Sequence, residues 1–192
     1  MSNVLPTTLT AERNLVLIGY RASGKTVVGR ELARRLGRPF VDLDDVVTVE
    51  AGQSIAALVA RQGWGEFRRR EKEVVGRYAA RPGQVLAPGG GAVLDPDNVA
   101  HLRHNGVVVW LTAPPPVIMA RLRQDRATLA SRPALHGLDP LQEVEEVLAV
   151  REPFYRQAAH LTIDTTGLKP EEVADRILQE VRDQIEEAGD GG

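Results

Sequence analysis

The sequence predicts an α/β protein, a doubly wound five-stranded parallel sheet with helices on both faces. Three observations carry this reading. Short apolar runs rich in branched residues alternate with longer segments of helical period, the pattern of strand–helix–strand units. Those runs show little polar alternation, as strands covered on both faces require. The first run leads into Gly19-Tyr-Arg-Ala-Ser-Gly-Lys-Thr26, which matches the phosphate-binding pattern G-x-x-x-x-G-K-[ST] at each fixed position.

Asn14-Leu-Val-Leu-Ile18 reads as the first strand. Val27 to Leu36 reads as a helix, with Val27, Val28, Leu32, Ala33 and Leu36 on one face. Strand, glycine loop and helix stand in the order the motif needs. Glycines let the backbone approach a phosphate, and helix N-terminal N–H groups supply donors and a positive dipole end. The loop residues Gly19, Arg21, Ala22, Ser23 and Gly24 are therefore candidate nucleotide-binding positions. Lys25 would reach the β- and γ-phosphates, and the Thr26 hydroxyl would ligate Mg²⁺.

Arg38 to Asp44 reads as a second strand ending in carboxylates, with Asp42 and Asp44 on one face. Beside a phosphate loop, the pair suggests Mg²⁺ support and a base for a hydroxyl. Capping of the following helix by Asp is the plainer alternative. Asp45 to Ala51 reads as a short helix closed by Gly52, and Ser54 as the N-cap of the next, with Ile55, Leu58 and Val59 inward. Gly63-Trp-Gly65 interrupts. A longer helix follows over Glu66 to Ala80, with Phe67, Val74, Val75 and Tyr78 as its apolar stripe. On it, Arg68 and Glu71 are i, i+3 neighbours. They form either a surface ion pair of little worth or an arginine aimed at an anionic substrate and held by the glutamate. Spacing leaves both open.

Gln84 to Pro88 reads as the third strand and runs into Gly89-Gly90-Gly91. Three glycines there imply that something approaches the backbone closely, beyond the carboxyl ends of the strands where ligands bind in open parallel sheets. Asp95 and Pro96 open a helix reaching His104, and Gly106 to Leu111 is a central strand. Pro114 to Pro116 turn into a helix ending near Arg123. The next stretch, Gln124 to Gly137, is Arg-rich and holds Arg126, Arg132 and Pro133. It suits a lid over phosphates, or else a solvated loop. Leu138 to Gln157 reads as a long helix carrying Arg151, His160 to Asp164 as the last strand, and Pro170 as the opening of a final amphipathic helix. His101, His104, His136 and His160 show no metal-ligand spacing.

Composition bounds the function classes. A chain of 192 residues is long enough for one sizeable core. The net charge of −2 argues against a general nucleic-acid surface. No apolar run approaches a membrane span, no signal pattern opens the chain, and cysteine is absent. These points lead to the expectation of a cytoplasmic protein without membrane or nucleic-acid partners, monomeric by default. Lys25, Lys72 and Lys169 are the only lysines, so arginine supplies most of the positive charge.

The combination of motifs resembles the shikimate kinase family from about Leu15 to Val181. GYRASGKT at 19–26, DLD at 42–44, EFRRRE at 66–71, GGG at 89–91, RPAL at 132–135 and REPFY at 151–155 stand in family order. The resemblance implies a P-loop kinase fold with a helical substrate-binding insert and a mobile lid, and transfer of phosphate from ATP to shikimate. It implies that Lys25 and Thr26 serve ATP and Mg²⁺, with Asp42 supporting the metal. Asp44 would act on the shikimate hydroxyl as base, while Arg68 and Arg151 would clamp its carboxylate and Glu71 would orient Arg68. The backbone of Gly89, Gly90 and Gly91 would line the ring. Arg132 would close with the lid onto the phosphates, making Lys25, Asp44 and Arg132 the catalytic set. Arg121, and Lys169 in the loop after Thr165, would face the adenine. On this reading residues 1–192 form a single domain, with its core over 13–186, the insert over 44–81, the lid over 124–138 and a disordered tail over 187–192. A gluconate-type kinase and a non-catalytic ATP-binding module are the competing readings.

Overall fold

The structure, a computed structural model, describes residues 12–124 and 143–189. Five strands form one sheet: β1 (Asn14–Ile18), β2 (Phe40–Asp42), β3 (Val85–Ala87), β4 (Gly106–Thr112) and β5 (Leu161–Asp164). Their order is β2-β3-β1-β4-β5, and each neighbouring pair is parallel. The helices among the described residues are α1 (Lys25–Leu36), α2 (Leu43–Ala51), α3 (Ile55–Ala79), α4 (Pro96–His104), α5 (Pro115–Gln124), α6 (Glu143–Ala158) and α7 (Pro170–Gly189). The doubly wound parallel sheet is as the sequence predicts.

β1 shows why the sheet needs helices on both faces. Leu15 and Leu17 pack with Val28 and Leu32 of α1 and Val173 and Ile177 of α7. Val16 and Ile18 point the other way, to Val47 of α2, Leu58 and Val74 of α3 and Leu102 of α4. Each such side chain contributes about 1.5–3 kcal/mol by leaving water. The strand order reverses around β1, so the loops after β1, β2 and β3 open together at the carboxyl edge, where such sheets bind ligands.

Several boundaries differ from the expectation. β2 stops at Asp42, and Asp44 lies in the first turn of α2, so the two carboxylates do not share a strand face. The cause is local. Asp42 caps α2 by accepting a hydrogen bond from Asp44 N at 3.1 Å, and the cap ends the strand. The interruption expected at Gly63–Gly65 is a kink at Gly63 (φ 82°, ψ 168°) within α3. In β5 only alternate residues are buried, because it is an edge strand. His160 precedes β5 and extends its pairing through its side chain, with Val108 N donating to Nδ1 at 2.9 Å. α7 runs to Gly189, into the expected tail, since Glu and Ala there are good helix formers. The expected lid with Arg126 and Arg132, the motif at 132–135, His136, the first residues of the long helix from Leu138, and 190–192 lie outside the described residues, apart from Gln124 itself.

Candidate active site

The phosphate loop joins β1 to α1 and is shaped by its backbone. Gly19 and Gly24 have φ of 145° and 102°. A Cβ at Gly19 would lie 2.5 Å from the Leu111 carbonyl oxygen, so only glycine fits against β4 there. Ala22 also takes a left-handed conformation, φ 59°, at a cost of about 1–2 kcal/mol for a residue with a Cβ. The N-terminus of α1 has no side-chain cap and no acidic residue in its first turn. Its orphan N–H groups and dipole are therefore available to an anion. Lys25 Nζ donates to the carbonyls of Gly19 at 2.8 Å and Tyr20 at 3.0 Å, folding its charge over the loop. Ser23 Oγ is buried and has no hydrogen-bond partner among the described residues.

A cleft of about 580 Å³ lies along this loop. Arg21, Ala22, Ser23, Gly24, Lys25, Thr26, Asp42, Asp44 and Arg121 line it, with Thr165, Leu168 and Pro170 at the far side. Arg121 staples the two sides. It donates to Ala22 O at 3.3 Å, to Thr165 Oγ1 at 2.9 Å and to Thr165 O at 2.8 Å. Lys169 is exposed and is not among the lining residues; its backbone N–H donates to Glu172 at 2.7 Å, starting α7.

Thr26 Oγ1 donates to Asp42 Oδ2 at 3.0 Å. The other Asp42 oxygen caps α2, so one carboxylate ties the phosphate loop to the helix that bears Asp44. No group of three or more His, Asp or Glu suited to a metal occurs among the described residues. A hydroxyl and one carboxylate are hard oxygen donors, and they fit Mg²⁺, which takes few protein ligands and completes its shell with phosphate and water.

Next to the cleft is a second cavity. Its charged lining is Arg21, Asp44, Arg68, Glu71 and Arg151, and its floor is Gly89, Gly90 and Gly91. Tyr20, Ile55, Trp64 and Phe67 complete the wall. Asp44 is 6% exposed and Glu71 2%. Arg68 pairs with Glu71, and its guanidinium lies 5.6 Å from the Trp64 ring centroid and 5.1 Å from that of Phe67. Pairing does not keep Glu71 acidic. Burial pushes its carboxyl up to about 7 against the pull of Arg68, and the Asp44 charge adds to the rise. The ion pair is therefore not the exposed, weak kind that spacing alone allowed.

Gly89 and Gly91 are glycine because side chains crowd them. A Cβ at Gly89 would be 2.6 Å from both Asp44 Oδ1 and Glu71 Oε1, and one at Gly91 would overlap the Arg68 guanidinium. Tyr155 Oη donates to Gly90 O at 2.5 Å, and its ring stacks on Trp110 at 5.7 Å. Burial raises the Tyr155 phenol to about 12, so it keeps the proton it donates.

The structure thus brings Lys25, Thr26, Asp42, Asp44, Arg68, the three glycines and Arg151 to two adjoining cavities. Arg132 lies outside the described residues. Sequence reasoning missed Tyr20, Trp64 and Tyr155. Trp64 sits between two glycines at a helix kink, a signal that could have marked it; an aromatic at helical spacing otherwise reads as core.

Comparison with known proteins meets the same pattern. The family described as Shikimate kinase matches residues 21–182. A shikimate kinase of Symbiobacterium thermophilum is 47% identical, over 90% of this chain and 98% of its own. One from Syntrophus aciditrophicus is 42% identical, over 90% and 93%. Among solved structures, shikimate kinase from Acinetobacter baumannii in complex with shikimate superposes with a TM-score of 0.84 at 35% identity, covering 93% of this chain and 98% of that one. The motifs, the two cavities and these likenesses over nearly the whole length agree, and the chain belongs to the shikimate kinase family.

Proposed function

We propose that this chain transfers the γ-phosphoryl group of ATP to the 3-hydroxyl of shikimate, giving shikimate 3-phosphate and ADP. The observation that carries the reading is the adjacency of a phosphate-loop cleft and a cavity that holds Asp44 as base together with Arg68 and Arg151, beside Arg21 and Glu71. Arg68 and Arg151 suit a planar carboxylate, which a guanidinium fork binds in two-point fashion. Trp64, Phe67 and Ile55 suit the apolar face of a ring. A gluconate-type acceptor also bears a carboxylate but offers no such ring face.

Asp44 takes the proton of the acceptor hydroxyl as its oxygen bonds to the γ-phosphorus. The bond from that phosphorus to the bridging oxygen breaks, and ADP leaves with the electron pair. Phosphoryl transfer of this kind depends on positioning and charge stabilisation. Lys25 unfolds from its loop carbonyls toward the phosphates, and the α1 N–H groups hold them in line. Thr26 and Asp42 would hold Mg²⁺, which supplies charge neutralisation to the phosphate oxygens. On this reading Arg132 would be the third member of the catalytic set. Gly89, Gly90 and Gly91 admit the acceptor against their backbone, and Glu71 orients Arg68.

The test is product analysis. Phosphorus NMR of the reaction with ATP and shikimate should show phosphate esterified at the 3-hydroxyl alone. Arg151→Lys should raise the KM for shikimate at least ~10-fold while leaving that for ATP nearly unchanged, because Lys cannot form the fork. An ester at another hydroxyl, or an unchanged shikimate KM, would count against the assigned acceptor geometry.

A further inference from the structure

Two side chains line both cavities, Asp44 and Arg21. Asp44 has its part as the base. Arg21 belongs to the phosphate loop by its backbone, and its side chain is held in a fixed place. It is 8% exposed. Its Nε donates to Tyr20 Oη at 3.1 Å, and its guanidinium carbon stands 5.3 Å from the Tyr20 ring centroid. The Arg151 guanidinium stands 6.0 Å from the same ring. Tyr20 therefore sets two guanidinium groups relative to each other, one within the acceptor cavity and one where it meets the cleft.

The charges of the acceptor cavity are three arginines against Asp44 and Glu71. A single acceptor carboxylate is met by Arg68 and Arg151. The third arginine lies at the boundary with the nucleotide cleft, where a second anion must cross, namely the phosphoryl group in transit. We infer that the Arg21 guanidinium contacts this transferred phosphoryl group on the acceptor side of the phosphate loop. The inference rests on the phosphotransfer reading above. It adds to that reading a residue that favours the phosphorylated acceptor over the free one. Lys25 meets the phosphates from the loop as a point charge, whereas Arg21 brings a planar fork suited to phosphate oxygens. Its backbone is fixed within the phosphate loop. Ala22 beside it is in the left-handed region, and the Ala22 carbonyl accepts from Arg121 at 3.3 Å.

The test compares the affinities of shikimate and shikimate 3-phosphate, by calorimetry, for the wild type and Arg21→Met. Methionine keeps length and contact with the Tyr20 ring but not the charge. The expected result is a loss of at least about tenfold for shikimate 3-phosphate, a change under about threefold for shikimate, and a kcat lower by about 10². Arg21→Lys should recover part of each. Equal losses for the two compounds, or no loss for the phosphorylated one, would overturn the inference. ADP binding reports whether the loop is intact; if Arg21→Met loses it, the comparison is read on Arg21→Gln, which keeps a donor for Tyr20. Failure of the wild type to bind shikimate at all would overturn the phosphotransfer reading and this inference with it. Wild-type binding with an unchanged ratio in the variant overturns the inference alone.

Discussion

Asp44 Oδ1 and Glu71 Oε1 converge on Gly89, each 2.6 Å from where a Cβ would stand. Two buried carboxyl groups therefore lie within about 5 Å of each other, close enough for the Asp44 charge to add to the raised pKa of Glu71. The convergence makes position 89 a control point for the base. Gly89→Ala meets only the ends of two side chains, so the fold should survive and the base should move. We expect an unfolding free energy within about 1 kcal/mol of wild type, unchanged ADP binding, and a kcat/KM for shikimate lower by ~10². Steady-state kinetics beside a urea melt checks this, and full activity would show that the carboxylates relax without consequence.

Glu71 also makes stability depend on pH. Burial raises its carboxyl from 4.5 to about 7 in the folded state. A group raised on folding gives stability that is complete below pH 4.5 and lost as pH climbs through about 7. Glu71→Gln removes that dependence. Urea unfolding between pH 4.5 and 7 should show a shallower decline for the variant, and its shikimate KM should rise because Arg68 loses its anchor. Parallel curves for variant and wild type would contradict the assignment.

His160 works in the opposite direction. Burial holds its imidazole down at about 4, with the charges of Arg103 and Arg13 adding to the effect. Stability linked to it is present above pH 6.5 and lost as pH falls from 6.5 toward 4. His160→Asn should flatten this acid-side loss. Because the two windows overlap with opposite sign, each is read from its own variant by thermal melts across pH.

Asp42 serves two helices with one carboxylate. Asp42→Ala removes the cap of α2 and the acceptor for Thr26. The lost cap costs about 1 kcal/mol, visible as a lower urea midpoint. The Mg²⁺ concentration for half-maximal rate should rise by about 10–100-fold. A change in stability with no change in Mg²⁺ dependence would leave Asp42 a structural residue.

Tyr155→Phe keeps the stack on Trp110 and removes the donor to Gly90 O. A half-buried carbonyl left without its partner costs about 1 kcal/mol. The loosened triple-glycine floor should raise the shikimate KM several-fold with the KM for ATP unmoved. Equal rises in both would place the effect in the sheet and not in the acceptor floor.

The sequence made the phosphate loop legible because that chemistry demands particular residues at particular spacings, and Gly19, Gly24, Lys25 and Thr26 each answer a physical need. The sheet was legible from β1 and β4, whose apolar runs are too continuous for a surface strand. The end of β2 was not, since Asp42 suits a strand end and a helix cap equally, and only the hydrogen bond from Asp44 N decides. Tyr20, Trp64 and Tyr155 were hidden for another reason. An aromatic lining a cavity, as Tyr20 and Trp64 do, or supporting its floor from the core, as Tyr155 does, reads from sequence like any core aromatic, and only the fold places Arg68 over Trp64 or Tyr155 under Gly90. The burial that raises Glu71 is equally invisible at i, i+3 spacing.

The central claim is that the second cavity delivers shikimate to the phosphate loop. Its most direct test is ADP release from ATP, measured with no acceptor and then with shikimate, gluconate or a nucleoside monophosphate, for the wild type and Asp44→Asn. The account predicts stimulation by shikimate alone, and a variant that still binds ATP but turns over at least ~10² more slowly. Stimulation by another acceptor in preference to shikimate, or by none, would contradict it.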